Sequence, residues 1–335
     1  MTIAVGTPDL QQAIDEYRAE LLGYCYRMLG SLFDAEDAVQ DTLVRAWRSL
    51  EGFEGRSALK TWLYRIATNV CLDVLSSTHR RVRPMDLTDA AWEPIEASLA
   101  ARRGEDTWLE PVLDRQVLPA PVDPADVAVG RDTIRLAFIA ALQHLPARQR
   151  VVLILRDVLR WKADEVAGLL ETTVASVNSA LQRARATLDA RGPQPGQAYD
   201  PLDAEQQDLL ARYLEAFESY DIERFVQLLH EDATQNMPPY EMWLQGRHNI
   251  VAWMLGPGAE CEHSRLLPLR VNGAPGFAQY RWVDGAHQPW AIQVLDVVDG
   301  RVQGISSFLD NRLFAALGLP ARLDDEFPSP AGSKE

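Results

Sequence analysis

Between Ser57 and Asp73 the sequence SALKTWLYRIATNVCLD puts two kinds of residue on one short helix. Leu59, Leu63, Ile66, Val70 and Val74 recur at helical spacing and form a packing stripe. About a quarter turn away run Trp62, Arg65, Asn69 and Asp73. An aromatic plate, a guanidinium and an amide in one row suit the capture of unstacked bases and phosphates. A surface helix with one half-buried Trp would carry the same row. A second candidate lies further on, where Ala163–Leu170 and Val174–Leu188 read as two helices joined by Glu171-Thr172-Thr173. Val174, Val177, Leu181 and Leu188 face inward there and leave Ser176, Asn178, Ser179, Gln182, Arg183 and Arg185 outside. That length and polarity fit a helix-turn-helix whose second helix enters a DNA groove, with a plain helical hairpin as the alternative.

The elements that must position these rows are helical at first. Ile14–Leu29 reads as an amphipathic helix with Tyr17, Leu21, Tyr24 and Met28 on one side. Asp34 is a good N-cap for the next helix, whose buried face is Val39, Leu43, Trp47 and Leu50. From 82 to 129, prolines at 84, 94, 111, 119, 121 and 124 among scattered acids predict a tether with at most short helical pieces. Helices resume with Ile134, Phe138, Ala141, Leu142 and Leu145, then Val151, Val152, Ile154, Leu155 and Val158. After a break at 191–197 come helices at 205–219 and 222–229. Strands follow at 278–283, 290–298 and 301–309, the last two joined by the hairpin signal Asp299-Gly300. Helices followed by an antiparallel sheet indicate an α+β domain.

The net charge of −15 conceals an asymmetry. Residues 13–83 carry 10 basic and 10 acidic side chains, 84–129 carry 3 and 10, 130–191 carry 10 and 6, and 200–335 carry 10 and 21. The helix-turn-helix segment is thus the only basic one, which favours DNA as its partner. No run of eighteen apolar residues occurs and MTIAVGTPDL has no signal-peptide layout, so a cytoplasmic protein is expected, with no membrane partner. Cys25, Cys71 and Cys261 are far apart and show no metal-ligand spacing, so no metal site and reduced thiols are expected.

Three segments together resemble the extracytoplasmic-function sigma factors: AEDAVQDTLVRAW at 35–47, FEGRSALKTWLYRIATNVCLD at 53–73, and 145–188 from LPARQR to RARATL. The resemblance implies a promoter-specificity subunit of RNA polymerase, with region 2 at 10–82, an acidic linker at 83–129 and region 4 at 130–191. It implies that Asp37, Gln40, Asp41 and Arg45 dock on the polymerase clamp helices, with the β flap as a further contact. It places Arg56, Lys60, Trp62, Arg65, Asn69, Arg80 and Arg81 on the −10 element, and Thr173, Ser176, Asn178, Ser179, Gln182, Arg183 and Arg185 on the −35 element. Asn178 and Ala180 stand where the family often has a basic residue, so binding of an isolated −35 duplex is expected to be weak.

Residues 200–320 resemble the SnoaL-like branch of the NTF2-like fold through YLEAFESYDIERFVQLLHEDAT, a Trp-rich stretch, and paired strands ending in GISSFLD. This implies a cone of sheet and helices around a pocket, followed by a disordered tail at 321–335. Trp243, His248, Trp253, Arg281, Trp282 and Trp290 are the candidate lining, with Tyr280, Arg247 and Asp296 as further members. An Asp–His pair could serve as acid and base, drawn from His230, His248, His263 or His287. The expected architecture is two all-α domains plus an α+β cone, without catalytic residues or cofactor, the cone modulating the sigma activity and open to a small-molecule ligand. A polymerase-independent DNA-binding regulator and an NTF2-like enzyme with a DNA-targeting front half are the alternatives.

Overall fold

The structure, a computed structural model, describes residues 14, 16–49, 58–118, 130–191 and 203–323. It divides into two compact units, one of residues 1–82 with 114–194 and the other of 83–113 with 195–335. The two helical regions therefore form one body, and the expected linker is divided between the units.

In the first unit α1 (Arg18–Leu29), α2 (Leu32–Arg48) and α3 (Leu59–Ser77) precede a single turn, α4 (Asp114–Val117). Then come α5 (Leu136–Gln143), α6 (Ala147–Leu153), a π-helical turn at Ile154–Val158, α7 (Ala163–Leu169) and α8 (Val174–Arg191). The first helix is not amphipathic as expected: every residue from Leu21 to Leu29 is buried, because α2, α3, α4, α5 and α6 all pack against it. Gly23 is required there, since a Cβ would lie 2.4 Å from the carbonyl oxygen of Val117. Ser31, not Asp34, caps α2 by accepting the amide of Asp34 at 3.0 Å. Trp47, expected in the core, is 41% exposed, and Leu50 lies outside the described residues.

Two buried guanidiniums tie this unit together. Arg150 donates to the carbonyls of Met28, Gln143 and Leu145 and to the Gln143 side chain, joining the C-terminal ends of α1 and α5. Arg27 donates to Gly23 O at 2.7 Å and Thr133 Oγ1 at 2.8 Å. Burial lowers each to about 10, still charged at neutral pH.

The second unit is an α+β cone. Helices α9 (Ala204–Glu218) and α10 (Ile222–Leu228) precede β1 (Leu229–Asn236), β2 (Trp243–Gln245) and α11 (Arg247–Leu255). Strands β3 (Arg265–Val271), β4 (Ala274–Val283), β5 (Ala286–Val298) and β6 (Arg301–Phe308) lead to α12 (Arg312–Ala316). The sheet order is β2-β1-β6-β5-β4-β3, antiparallel except for β1 beside β6. Asn272-Gly273, Asp284-Gly285 and Asp299-Gly300 turn the last three hairpins, with positive φ at all six residues as two-residue hairpin turns require.

Residues 83–113 are not a free tether. Trp92 N donates to Trp243 O at 2.8 Å, Trp243 Nε1 donates to Thr88 Oγ1 at 3.0 Å, and Arg102 bridges to Tyr240. Val112 and Asn272 exchange two hydrogen bonds, and Leu113 bridges to Val271. Trp108, Leu109, Val112 and Leu113 are buried. The prolines obstruct none of this, since a proline contributes no amide that a sheet edge must satisfy. Of the expected tail, Leu323 is described and bridges to His287, while 324–335 lie outside the described residues.

Candidate nucleic-acid interface and appended cavity

Helix α3 buries Leu63, Tyr64, Ala67, Thr68, Val70 and Cys71. Leu59, Ile66 and Val74, expected in that stripe, are only half-buried. Tyr24 Oη and Thr68 Oγ1 share a hydrogen bond of 2.7 Å, and the Tyr64 ring lies 5.1 Å from those of Tyr24 and Trp161. This fixes the rotation of the helix and turns the other row outward. Trp62 and Arg65 are half-buried; Asn69 and Asp73 are exposed. Arg65 Nη2 donates to Gly168 O at 3.2 Å, so the row meets the helix-turn-helix directly.

The remaining residues expected beside this row divide. Arg80 reaches His144 Nδ1 at 2.8 Å from an exposed position. Lys60 is paired with Glu20 at 2.5 Å and sits 5.8 Å from the Tyr64 ring, which gives its charge a local role. Arg81 departs most from expectation: it is 8% exposed and donates to Asp34 Oδ2 through Nε at 3.0 Å and Nη2 at 2.7 Å. It is a fastener between α2 and the end of region 2. Arg56 lies outside the described residues. On α2, Asp37, Gln40 and Arg45 are exposed and Asp41 half-exposed along one face, with Arg45 salt-bridged to Asp41 at 2.8 Å and Asp73 at 3.4 Å.

In the helix-turn-helix, Val177, Leu181 and Ala184 pack inward, whereas Val174 is 42% exposed. Glu171 takes the left-handed turn between the helices with φ 51. Thr173, Ser176, Asn178, Ser179, Gln182, Arg183 and Arg185 are all exposed. Three already have local partners: Thr173 and Ser176, whose hydroxyls share a hydrogen bond of 3.0 Å, and Arg185. Thr173 Oγ1 accepts the amide of Ser176 at 3.1 Å as a cap, and Arg185 forks onto Asp157 at 2.8 and 2.6 Å. Sequence reasoning passed over Arg148, Arg160 and Lys162, which are exposed on the elements before α8; the Arg-Trp-Lys run at 160–162 was the available signal.

In the cone, α9 and α10 lay Tyr213, Phe217 and Phe225 on the sheet, with Tyr213 stacked on Phe277 at 5.4 Å. Beneath them Tyr213 Oη donates to Gln293, Gln293 to Gln279 and Gln279 to Ser264 Oγ, at 3.0, 2.9 and 3.0 Å. The cavity beside this chain is about 40 Å³, room for water rather than a ligand. Of the expected lining, Trp253 and Trp290 border it, and the Arg281 guanidinium lies 4.1 Å over the Trp290 ring while pairing with Glu260. Trp243 is buried under Thr88, while His248 is exposed and Trp282 is 44% exposed against His287. Among the described residues that line the cavity there is no histidine or carboxylate. Among the described residues no cluster with metal-ligating composition occurs, and no helix is long and apolar enough to cross a membrane.

Comparison with known proteins agrees with this architecture. Residues 13–81 match the Sigma-70 region 2 family, 135–188 the Sigma-70, region 4 family, and 210–305 the SnoaL-like domain. The ECF RNA polymerase sigma factor SigG of Mycobacterium tuberculosis is 47% identical over 318 residues, covering 94% of this chain and 85% of that protein. SigJ of the same organism is 28% identical over 304 residues, covering 85% and 86%. The SigJ crystal structure superposes with a TM-score of 0.57 at 23% identity over 92% of this chain and 99% of that one, a likeness of fold.

Proposed function

This chain belongs to the extracytoplasmic-function sigma factors, subunits that direct core RNA polymerase to promoters, and we propose how its residues divide that work. Trp62, Arg65 and Asn69, with Arg56, capture the melted non-template strand of the −10 element; Arg80 holds a phosphate beside them. The exposed face of α8 reads the −35 element, with Arg183 and the missed Arg148, Arg160 and Lys162 on phosphates. Asp37, Gln40, Asp41 and Arg45 dock on the β′ clamp, and region 4 meets the β flap. The protein acts in the cytoplasm and catalyses nothing itself.

One observation carries the mechanism: Arg65 of the −10 row is hydrogen-bonded to Gly168 of the −35 reader. Promoter elements about 25 base pairs apart lie about 85 Å apart on B-DNA at 3.4 Å per base pair. The two readers therefore cannot occupy both elements in the arrangement seen, which is a closed, waiting state. Its contacts are several: α1 packs against α5 and α6, Arg150 donates to the Met28 carbonyl, Arg27 donates to Thr133 Oγ1, and the Tyr64 ring meets that of Trp161. The Tyr64–Trp161 pair contributes about 0.5–1.5 kcal/mol, and an exposed hydrogen bond contributes about 1 kcal/mol. These two are the smaller part beside the buried Arg150 and Arg27 bonds, so opening draws on the free energy of binding both polymerase and promoter. Docking of 83–113 on the cone restrains opening further, because releasing these residues adds up to about 100 Å of chain at roughly 3.3 Å per residue. The cone thereby modulates the sigma activity through the linker.

The test is to add the purified chain to sigma-free core polymerase on genomic promoter fragments and map transcript starts. Initiation at discrete sites that requires the chain supports the reading. Tight binding of promoter duplex without polymerase, and no initiation with it, would favour an independent DNA-binding regulator.

A further inference from the structure

Arg65 is half-buried where α3 packs on α7, and its guanidinium is poorly satisfied there. Nη2 donates to the Gly168 carbonyl at 3.2 Å, beyond the usual distance of about 2.9–3.0 Å. Nε is shut off from water and has no hydrogen-bond partner among the described residues. The Nε–Nη2 edge of a guanidinium carries two parallel donors, suited to the paired oxygens of a carboxylate or phosphate. Arg81 and Arg185 show that edge filled. Each sets both nitrogens on one carboxylate, at 3.0 and 2.7 Å on Asp34 and at 2.8 and 2.6 Å on Asp157. In Arg65 the same edge makes one long bond to a lone carbonyl oxygen.

A phosphate would give the edge its second bond and relieve the buried Nε, which makes the exchange favourable. It cannot happen with Gly168 in place, because both use Nη2. The neighbours of Arg65 in the row, Trp62 and Asn69, offer a ring and an amide to bases, which a paired duplex keeps stacked inside. Residues 13–83 also carry 10 basic and 10 acidic side chains, too even a balance to hold duplex by charge alone.

We propose that Gly168 and the unpaired −10 strand compete for the Nε–Nη2 edge of Arg65, so that the promoter's share of the opening free energy enters at this residue. The inference rests on the −10 role given to Arg65 above. Closure then weakens strand capture by the same factor by which the strand weakens closure. A strand that binds only the open form, at 100 times its dissociation constant for that form, shifts the equilibrium about 100-fold toward opening. Duplex of the same sequence does not shift it. The closed chain is thus held back from DNA until the strand is already unpaired.

The test uses the full-length protein and a fluorescent 12-nucleotide single strand, the non-template −10 segment of a start site that the chain has directed. Anisotropy should show the strand binding and its duplex binding at least tenfold more weakly. Thr133→Val keeps the shape but removes the acceptor of Arg27 Nη2, loosening closure away from the row. It should tighten strand binding at least threefold. Arg65→Lys keeps the charge and lacks the edge, so it should weaken the strand at least fivefold and abolish the gain from Thr133→Val. With spin labels at Ser76→Cys and Asp189→Cys in a Cys261→Ser background, saturating strand should move the distance distribution to longer values, and duplex should not. No strand binding by the free chain, strand binding with an unmoved distribution, or affinity indifferent to Thr133→Val overturns the proposal. Since the strand comes from a start already mapped with polymerase, such a failure leaves the sigma reading standing; failure of that reading would show earlier, as absent initiation.

Discussion

Trp62 and Asn69 stand in the outward row of α3 without belonging to its packing face. Their replacement by alanine should leave folding and core-polymerase binding intact while weakening promoter opening. Base stacking contributes about 1–3 kcal/mol, so Trp62→Ala should cost roughly 5- to 150-fold in open complex, read by permanganate reactivity at the −10 element. Arg81 should behave otherwise. Its fork on Asp34 is largely buried, so Arg81→Ala should lower stability by about 1–3 kcal/mol, and Asp34→Asn should do nearly the same. A phosphate-binding Arg81 would instead lose DNA affinity, with Asp34→Asn harmless.

At the scale of elements, each unit is held by buried tyrosines. Tyr24 and Tyr64 lie in the helical unit and Tyr213 in the cone, and burial first of all pushes each hydroxyl above its ordinary value near 10. A raised folded-state value means the native state holds its proton where the unfolded chain releases it. Stability from these groups is full below pH 10 and falls as pH rises beyond it. Arg27 and Arg150, which burial lowers to about 10, act oppositely between there and the ordinary arginine range. Tyrosinate absorbance should therefore show Tyr24, Tyr64 and Tyr213 ionising only as far-ultraviolet circular dichroism is lost. A second prediction concerns α1 and α4. Gly23→Ala places a methyl against Val117 O and should release 114–117 from α1, visible as faster amide exchange there.

For the whole molecule, the proposed mechanism requires regions 2 and 4 to separate when polymerase and promoter are both present. Spin labels at Ser76→Cys and Asp189→Cys, in a Cys261→Ser background, report the spacing of regions 2 and 4; both positions are exposed, and Cys25 and Cys71 are buried. The distance should grow by tens of ångströms on forming the promoter complex. An unchanged distance in an initiating complex would refute the closed-state account.

Much of this was legible from residue order alone. The helix types, the helix-turn-helix, the α+β class of the last domain and the outward row of α3 follow from local periodicity, charge and turn chemistry, because neighbours along a helix or strand share one environment. The partners of individual polar groups were not legible. Arg81 and Arg80 are adjacent in sequence, yet one is buried on Asp34 and the other reaches His144. Nor was the fate of the proline-rich stretch, whose composition reads as solvated chain until a sheet edge accepts its few free amides and covers Trp108 and Leu109. Composition measures what a segment can do without partners, and only the tertiary structure supplies the surface that makes burial favourable. That is why sequence alone pointed to the family, whereas the fold decided that Arg65 of α3 rests against Gly168 of the helix-turn-helix and that residues 83–113 are held on the cone.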